Sequence, residues 1–469
     1  MKSVRSINKS FIYFSINATI FTACDVTRIP KPTVVPPSET QHGSGAMSCF
    51  RNTCVAVGQY FENGNPSGLP LAVFSNNNGQ TFDIASTIAT PIDFDSNLSS
   101  QLYGIYCDDS ICVGAGFYNL DTSMFPAINA KPLVTFSDDY GKNFTLSTSP
   151  PMPTNADPAK LAALRYVTKS NTRLIGIGAY NLTFNGMGQI IEVSPWVTIS
   201  DIDGKSFTSS YFAPLPNDAA IPNVAMLYAG DCVEQNCIVV GSYAVSLNAQ
   251  NVIRPLIIRS NNGGQSFAKF PQISISGKSD TTKSMELRGI TCEELKCIAV
   301  GLYHQVGITG ALPLVLLSDD GGLTFKMTSS VSLPVDADTS LDAELKAVSC
   351  QGLHCVAGGF YNLDINTYTN GQALSLFSND GGVTFLAASP IPLPADADST
   401  QLSELTGVSC NDTNCIGVGV YNFNAGTNSS SPLAVFTTAN QNVFLSASQP
   451  QLPINTDLSK SNTLGDIQP

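Results

Sequence analysis

One unit of about sixty residues is written seven times along this chain, and that repetition limits the fold more than any other feature. Segments SCFRNTCVAVGQY (48–60), YCDDSICVGAGFY (106–118), DCVEQNCIVVGSY (231–243), TCEELKCIAVGLY (291–303), SCQGLHCVAGGFY (349–361) and SCNDTNCIGVGVY (409–421) align with one another. A seventh copy, YVTKSNTRLIGIGAY (166–180), keeps the Gly-x-Tyr but has neither cysteine. With Leu174 in place of the missing second cysteine, the spacing between copies runs 58, 62, 63, 60, 58 and 60 residues. A fixed period of this size marks one supersecondary unit, stacked on its own copies. Each unit reads as four short strands rich in Val, Ile, Leu, Phe and Tyr, with Gly, Asn and Asp between them and no sustained helical periodicity. A β-helix has much shorter rungs, and sixty residues is marginal for a separately folded domain in an open string. The arithmetic predicts an all-β fold, a seven-bladed β-propeller of four-stranded blades. Its repeats fall near 43–95, 96–157, 158–218, 219–280, 281–338, 339–398 and 399–469. The connector-like LPINTDLSKSNTL (452–464) after the last repeat predicts ring closure on blade 1, with adjacent chain ends.

Between the third and fourth strands lies a second repeated motif. It reads SDDYGKNF (137–144), SDDGGLTF (318–325) and SNDGGVTF (378–385), with Asn for Asp in SNNNGQTF (75–82) and SNNGGQSF (260–267). These segments resemble the Asp-box, or BNR repeat, of sialidase-like propellers. The residues carrying the pattern most fully are Ser137, Asp139, Gly141 and Phe144; Ser318, Asp320, Gly322 and Phe325; and Ser378, Asp380, Gly382 and Phe385. The acid accepts backbone N–H bonds in the turn, the glycine supplies positive φ, and the Phe fills the blade interior. Two copies are decayed, SDIDGKSF (200–207) with Ile202 at the acid position and TTANQNVF (437–444) with neither Asp nor Gly. In families that have one, the box is a folding element away from the substrate face.

Twelve of the 13 cysteines form six Cys-x4-Cys pairs: Cys49 with Cys54, Cys107 with Cys112, Cys232 with Cys237, Cys292 with Cys297, Cys350 with Cys355 and Cys410 with Cys415. Each blade offers only two thiols, and the three histidines do not recur with the period, so a tetrahedral zinc site is not built. A disulfide closing each hairpin satisfies every pair locally and implies an oxidising compartment.

The thirteenth, Cys24, stands at the end of a segment of its own. Lys2, Arg5 and Lys9 precede an uncharged stretch from Ser10 to Ala23 that is too short to span a membrane. Phe21-Thr22-Ala23-Cys24 resembles the lipobox of bacterial lipoproteins, with Phe where Leu is usual. The resemblance implies a signal peptide at 1–23, lipidation of Cys24 and a membrane anchor. Residues 24–42, rich in proline, read as an extended tether. Removing the signal takes the formal charge from −13 to −16, which leaves no electrostatic basis for gripping nucleic acid.

In a propeller the loops from strand two to strand three, and from each blade to the next, share one face. The first of these open with Tyr118-Asn119, Tyr180-Asn181, Tyr303-His304, Tyr361-Asn362 and Tyr421-Asn422, candidates for stacking on and hydrogen-bonding a ligand. The connectors carry Asp93 and Asp95, Asp336 and Asp338, and Asp396 and Asp398, hard oxygens of the kind Ca²⁺ takes. Packing tyrosines and Asx-turn acids are the competing reading of both. Blade 3 breaks the symmetry with the one Trp, Trp196, and the loop 181–195. Sialidases resemble one another in an early Arg-Ile-Pro, three arginines on the substrate carboxylate, a Tyr/Glu pair and an Asp acid, on six blades. Here Arg28-Ile29-Pro30 lies in the tether, the repeats hold only Arg51, Arg165, Arg173, Arg254, Arg259 and Arg288, and none follows. No cofactor motif is present and no catalytic pair stands out from the repeated background. Near-uniform repeats favour a non-catalytic binding or scaffold propeller, a monomer exported to the bacterial cell envelope (periplasm or cell surface), recognising a protein or glycan through its loop face. Seven-bladed Asp-box propellers that act as assembly factors for membrane complexes look similar in build. The alternative is a glycoside hydrolase or lyase of the sialidase-like class.

Overall fold

The computed structural model describes residues 43–465 apart from 122, 124–127, 186–189, 202, 248–249, 270–272, 329, 366, 412–413, 425, 428, 439–441 and 447–448. The segment 1–23, Cys24, the tether to residue 42, Ile202 and the centre of the last box lie outside the described residues.

Seven antiparallel sheets form a ring, each with its strands in chain order from the axis outward. The innermost strands are Met47–Phe50, Ser99–Cys107, Leu161–Lys169, Ala225–Val233, Glu286–Glu293, Asp342–Gln351 and Leu402–Cys410. In three blades the incoming connector adds a parallel fifth strand at the rim: Thr87–Ile88 in blade 2, Ile273–Ser274 in blade 5 and Ser330–Val331 in blade 6. That addition covers backbone groups an outermost strand would otherwise leave unpaired.

Each sheet buries both faces against its neighbours, which is why the second strands read as nearly continuous apolar runs. Ile298 and Val300 of blade 5, for instance, belong to the core shared with Leu345, Val348 and Phe385 of blade 6. The box glycine is part of this packing. A Cβ on Gly322 (φ +77°) would lie 1.9 Å from Cδ1 of Ile238, the residue after the second cysteine of the preceding blade. Gly382 meets Ile298, Gly264 Ile175, Gly141 Val55 and Gly79 Ile416 in the same way. The recurring Cys-Ile/Val of one blade and the box Gly of the next are therefore two halves of one contact. Within the box, Ser318 Oγ accepts from Gly322 N (2.9 Å), while Asp320 accepts from Thr324 N (2.9 Å) and from its hydroxyl (2.6 Å). Partial burial works against the charged form of Asp320, but the bonds from Thr324 and Ser318 outweigh it and hold the carboxyl at about 2.

All six cysteine pairs are disulfides, as their spacing predicts, each across the hairpin of the first two strands of its blade. Cys49 bonds to Cys54, Cys107 to Cys112 and Cys232 to Cys237. Cys292 bonds to Cys297, Cys350 to Cys355 and Cys410 to Cys415. The two cysteines of a pair stand directly opposite in the antiparallel register, as Cys232 and Cys237 do, with Cα atoms 4.0 Å apart. Blade 3 pairs Lys169 with Leu174 at that position. Beside the bridges, the residue before the first cysteine reaches the next blade: Ser48 Oγ accepts from Cys107 N, Ser349 Oγ from Cys410 N, and Asp231 Oδ2 from Cys292 N. Ser409 Oγ accepts from Cys49 N (3.1 Å) and so joins blade 7 to blade 1 through the same contact.

The ring closes as the connector repeat predicts. Thr463–Leu464 pairs with Gln59 and Gly58 of blade 1 and supplies the half of its inner strand that Met47–Phe50 does not. The glycine of each Gly-x-Tyr reveals the equivalence. A Cβ on Gly116, Gly301 or Gly419 would meet the carbonyl oxygen of the inner strand at 1.9–2.0 Å, and on Gly58 that oxygen belongs to Thr463. Residues Gly43–Gly45 run down inside the channel, antiparallel to blade 7, with Gly43 opposite Ser409 and Gly45 opposite Gly407. The chain then turns at Gly45 (φ +85°) into the first blade.

Candidate functional site

Two places gather chemistry: the channel on the ring axis and the face formed by the connectors. The channel comes from a recurrent irregularity. In six inner strands one residue, four before the first cysteine or its equivalent, is skipped by the pairing: Tyr103, Arg165, Tyr228, Arg288, Lys346 and Thr406. Such a bulge bends the strand and re-aims a side chain. These six residues, with Gly45 and Ala46, line a cavity of about 80 Å³.

On one side of the channel the side chains stack. The Arg165 guanidinium lies 4.4 Å from the ring centre of Tyr103 and 5.8 Å from that of Tyr228, and Arg288 lies 4.5 Å from Tyr228. An alternating series of ring and cation thus runs from blade 2 to blade 5, the arrangement that a ring quadrupole favours. The other side holds ion pairs. Arg288 donates from Nε to Glu344 Oε1 (2.7 Å) and sits 3.0 Å from Glu286, while Lys346 sits 2.8 Å from Glu404. Each blade-to-blade pair joins a bulge cation to the glutamate two residues ahead of the bulge in the next blade. Burial opposes the charge on Arg288, but Glu286, Tyr228 and Glu344 more than offset it and raise its pKa. For Lys346 burial is likewise outweighed by Glu404 and Glu344, and its pKa is raised.

On the connector face, the Tyr-Asn pairs hold the connectors. Asn119 (φ +60°), Asn181, Asn362 and Asn422 all adopt the left-handed conformation. Each accepts from the backbone N–H of the second acid in the connector (Asp95, Asp157, Asp338, Asp398) at 2.6–2.8 Å. Each also donates to the carbonyl two residues earlier. The tyrosine hydroxyls donate to the side chain at that earlier position: Tyr118 to Asp93 (3.1 Å), Tyr180 to Asn155 (2.7 Å), Tyr361 to Asp336 and Tyr421 to Asp396. Burial, then the adjacent aspartate, pushes Tyr118 and Tyr361 up to about 12. The second acids accept from the amide two residues on, as Asp338 does from Ser340 N (2.9 Å), which is an Asx-turn. Among the described residues no three His, Cys, Asp or Glu side chains gather as a metal site.

Blade 5 departs from this scheme. Tyr303 is buried and its hydroxyl faces Gln305, and the half-buried His304 has an Nδ1 without a partner. Burial, then Lys283, lowers the His304 pKa. Trp196 is 0% exposed, in the core layer with Val113, Leu164 and Leu174, so it belongs to the interior and not to a ligand face.

Of the arginines read from the sequence, two reach the channel, Arg165 and Arg288. Lys346, Tyr103, Tyr228 and the three glutamates were not singled out by sequence reasoning. Aligning the copies on their cysteines and reading four residues back would have found the ring, because that column is Gly45, Tyr103, Arg165, Tyr228, Arg288, Lys346 and Thr406.

No family model and no curated protein matches the chain. Among solved structures it is similar to an ulvan lyase of a polysaccharide lyase family, at 12% identity over 72% of this chain and 77% of that one, with a TM-score of 0.40. It is also similar to a Penicillium chrysogenum α-L-arabinanase complexed with arabinobiose, at 10% identity, 69% and 89% coverage and a TM-score of 0.43. A Hadza microbial sialidase shows 11% identity, 68% and 62% coverage and a TM-score of 0.39.

Proposed function

We propose that this chain is a non-catalytic binding or scaffold propeller, exported and held at a bacterial envelope through a lipid on Cys24, which recognises a protein or glycan with its connector face. One observation carries the reading: Arg288 and Lys346 in the channel are each matched by glutamates, Arg288 with Glu286 of its own strand and Glu344 of the next blade, and Lys346 with Glu404 of the next, within a cavity of only about 80 Å³. A glycoside hydrolase needs a carboxyl kept protonated as general acid, opposite a second one across a cleft. The displaced carboxyls Asp93, Asp320, Asp380 and Asp398 all move the other way, toward the ionised form, through hydrogen bonds that outweigh burial. The six disulfides fit an oxidising compartment.

Purified protein screened on a glycan array, and in parallel on chromogenic glycosides and uronate polysaccharides, tests the class. Binding without turnover is expected. Turnover that disappears on replacing a single carboxylate overturns the reading. For the anchor, wild-type protein should carry a lipid label that Cys24→Ser lacks; equal labelling sinks that part alone.

A further inference from the structure

The charge of this chain is unevenly placed. Residues 327–459, which make up blade 6, blade 7 and their connectors, contain eleven acids, no arginine and a single lysine, Lys346. That lysine faces the channel and is held by Glu404. The acid pairs on the connector face, Asp336 with Asp338 and Asp396 with Asp398, therefore have no cation from their own two blades.

Blade 2 displays what such a position accepts. Lys131, directly opposite Tyr118 in the pairing of strands two and three, places Nζ 2.6 Å from Asp93 Oδ2 and 5.9 Å from the Tyr118 ring centre. The carboxylate and the ring face together make a seat for an ammonium. Blade 6 repeats the seat without the lysine. Tyr361 donates to Asp336 as Tyr118 does to Asp93, but Gln372 stands where Lys131 would be and accepts from the Tyr361 hydroxyl at 2.8 Å. Next to this pair a cavity of about 390 Å³ opens between the incoming and outgoing connectors, with apolar walls from Leu333, Pro334, Leu386 and Pro390. An apolar trough ending at a carboxylate and an aromatic ring matches an aliphatic stem that ends in a positive charge.

We propose that the blade 6 cleft binds a primary ammonium on an aliphatic stem, with Asp336 and the Tyr361 ring taking the charge and the apolar walls taking the stem. The inference deepens the binding role proposed above and rests on it. Two sources supply this chemistry, a lysine side chain of a basic protein segment and a free aliphatic diamine.

The test uses the full chain, a lysine-repeat peptide in titration calorimetry and cadaverine in saturation-transfer NMR. Gln372→Lys should place an internal ammonium in the seat and weaken binding of the probes at least about tenfold, a change equivalent to about 1.4 kcal/mol, with an unchanged thermal melt. Binding of peptide but not cadaverine assigns the cleft to a protein partner; equal affinity per amine assigns it to the free diamine, and both support the proposal. If neither probe binds the wild type, or if Gln372→Lys leaves binding unchanged, the proposal is overturned. Those failures leave the binding class standing, which only glycoside turnover would remove.

Discussion

The hairpin end of each blade and the channel bulge lie within four residues of each other on the same strand, yet the repeat treats them in opposite ways. At the hairpin end a disulfide, a hydroxyl bridging to the next blade and a box glycine seated on Ile or Val recur around the ring. At the bulge column, Gly45 and the six bulged residues, five residue types stand where the hairpin end keeps one pattern. Where every copy makes the same contact with its neighbour, one solution serves all blades. Side chains that point at the axis meet those of several blades at once, and no single residue type can satisfy all seven places. The repetition marks what builds the ring, and its interruption marks where the ring is individual.

The largest effect should come from the bulge. Lys346→Met removes the ammonium paired with Glu404 in the channel, and loss of one partner of a buried pair costs about 3–5 kcal/mol, read as a lowered urea midpoint. Adding Glu404→Leu should recover much of it, since an apolar pair needs no compensation; a double variant no better than the single would show that the pair is not the unit. Next comes the hairpin end. Gly322→Ala meets Ile238 and an unfavourable positive φ, and about 2–3 kcal/mol is expected. Ile238→Ala in the neighbouring blade should relieve the clash, an outcome that two independent packing defects would not give.

Replacing both Cys292 and Cys297 with Ser should cost about 2 kcal/mol by the chain-entropy account of a short loop, measured against the same wild type. The same double replacement at Cys350 and Cys355 should cost as much; a loss twice as large in blade 5 alone would show that the bridges are not interchangeable. The smallest effect is in acid. The Asp320 carboxyl is lowered to about 2, so its contribution is complete above its unfolded value near 4 and is lost as pH falls through about 2. Asp320→Asn should flatten the stability profile between those limits, lowering stability above about pH 4 and leaving it unchanged below about 2.

The contrast also explains what could be read from the chain beforehand. The period, the paired cysteines, the boxes and the returning connector all repeat, and each corresponds to a contact made in the ring. The channel was hidden for the complementary reason: alignment of copies highlights what they share, while Gly45, Tyr103 and Arg165 occupy one column with no side-chain chemistry in common. Trp196 misled in another way. Its uniqueness suggested a site, but a large ring also fills a large gap, and here it lies wholly in the layer between blades. The tyrosines before the loops repeat because each anchors a connector. Tyr361 is set apart by the cleft that opens beside it, with Gln372 where blade 2 has Lys131.

The composite inner strand of blade 1 ties the first repeat to the seventh in time as well as in space. Gly58 and Gln59 cannot pair on their inner side until Thr463 and Leu464 exist, and synthesis delivers those residues only after the other six repeats. Blades 2 to 6 are complete as soon as their own residues are made, while the first blade waits for nearly the whole chain. A chain interrupted before residue 463 would present that unfilled strand edge to proteases, so the clasp between the first and seventh repeats also reports that all seven repeats have been made.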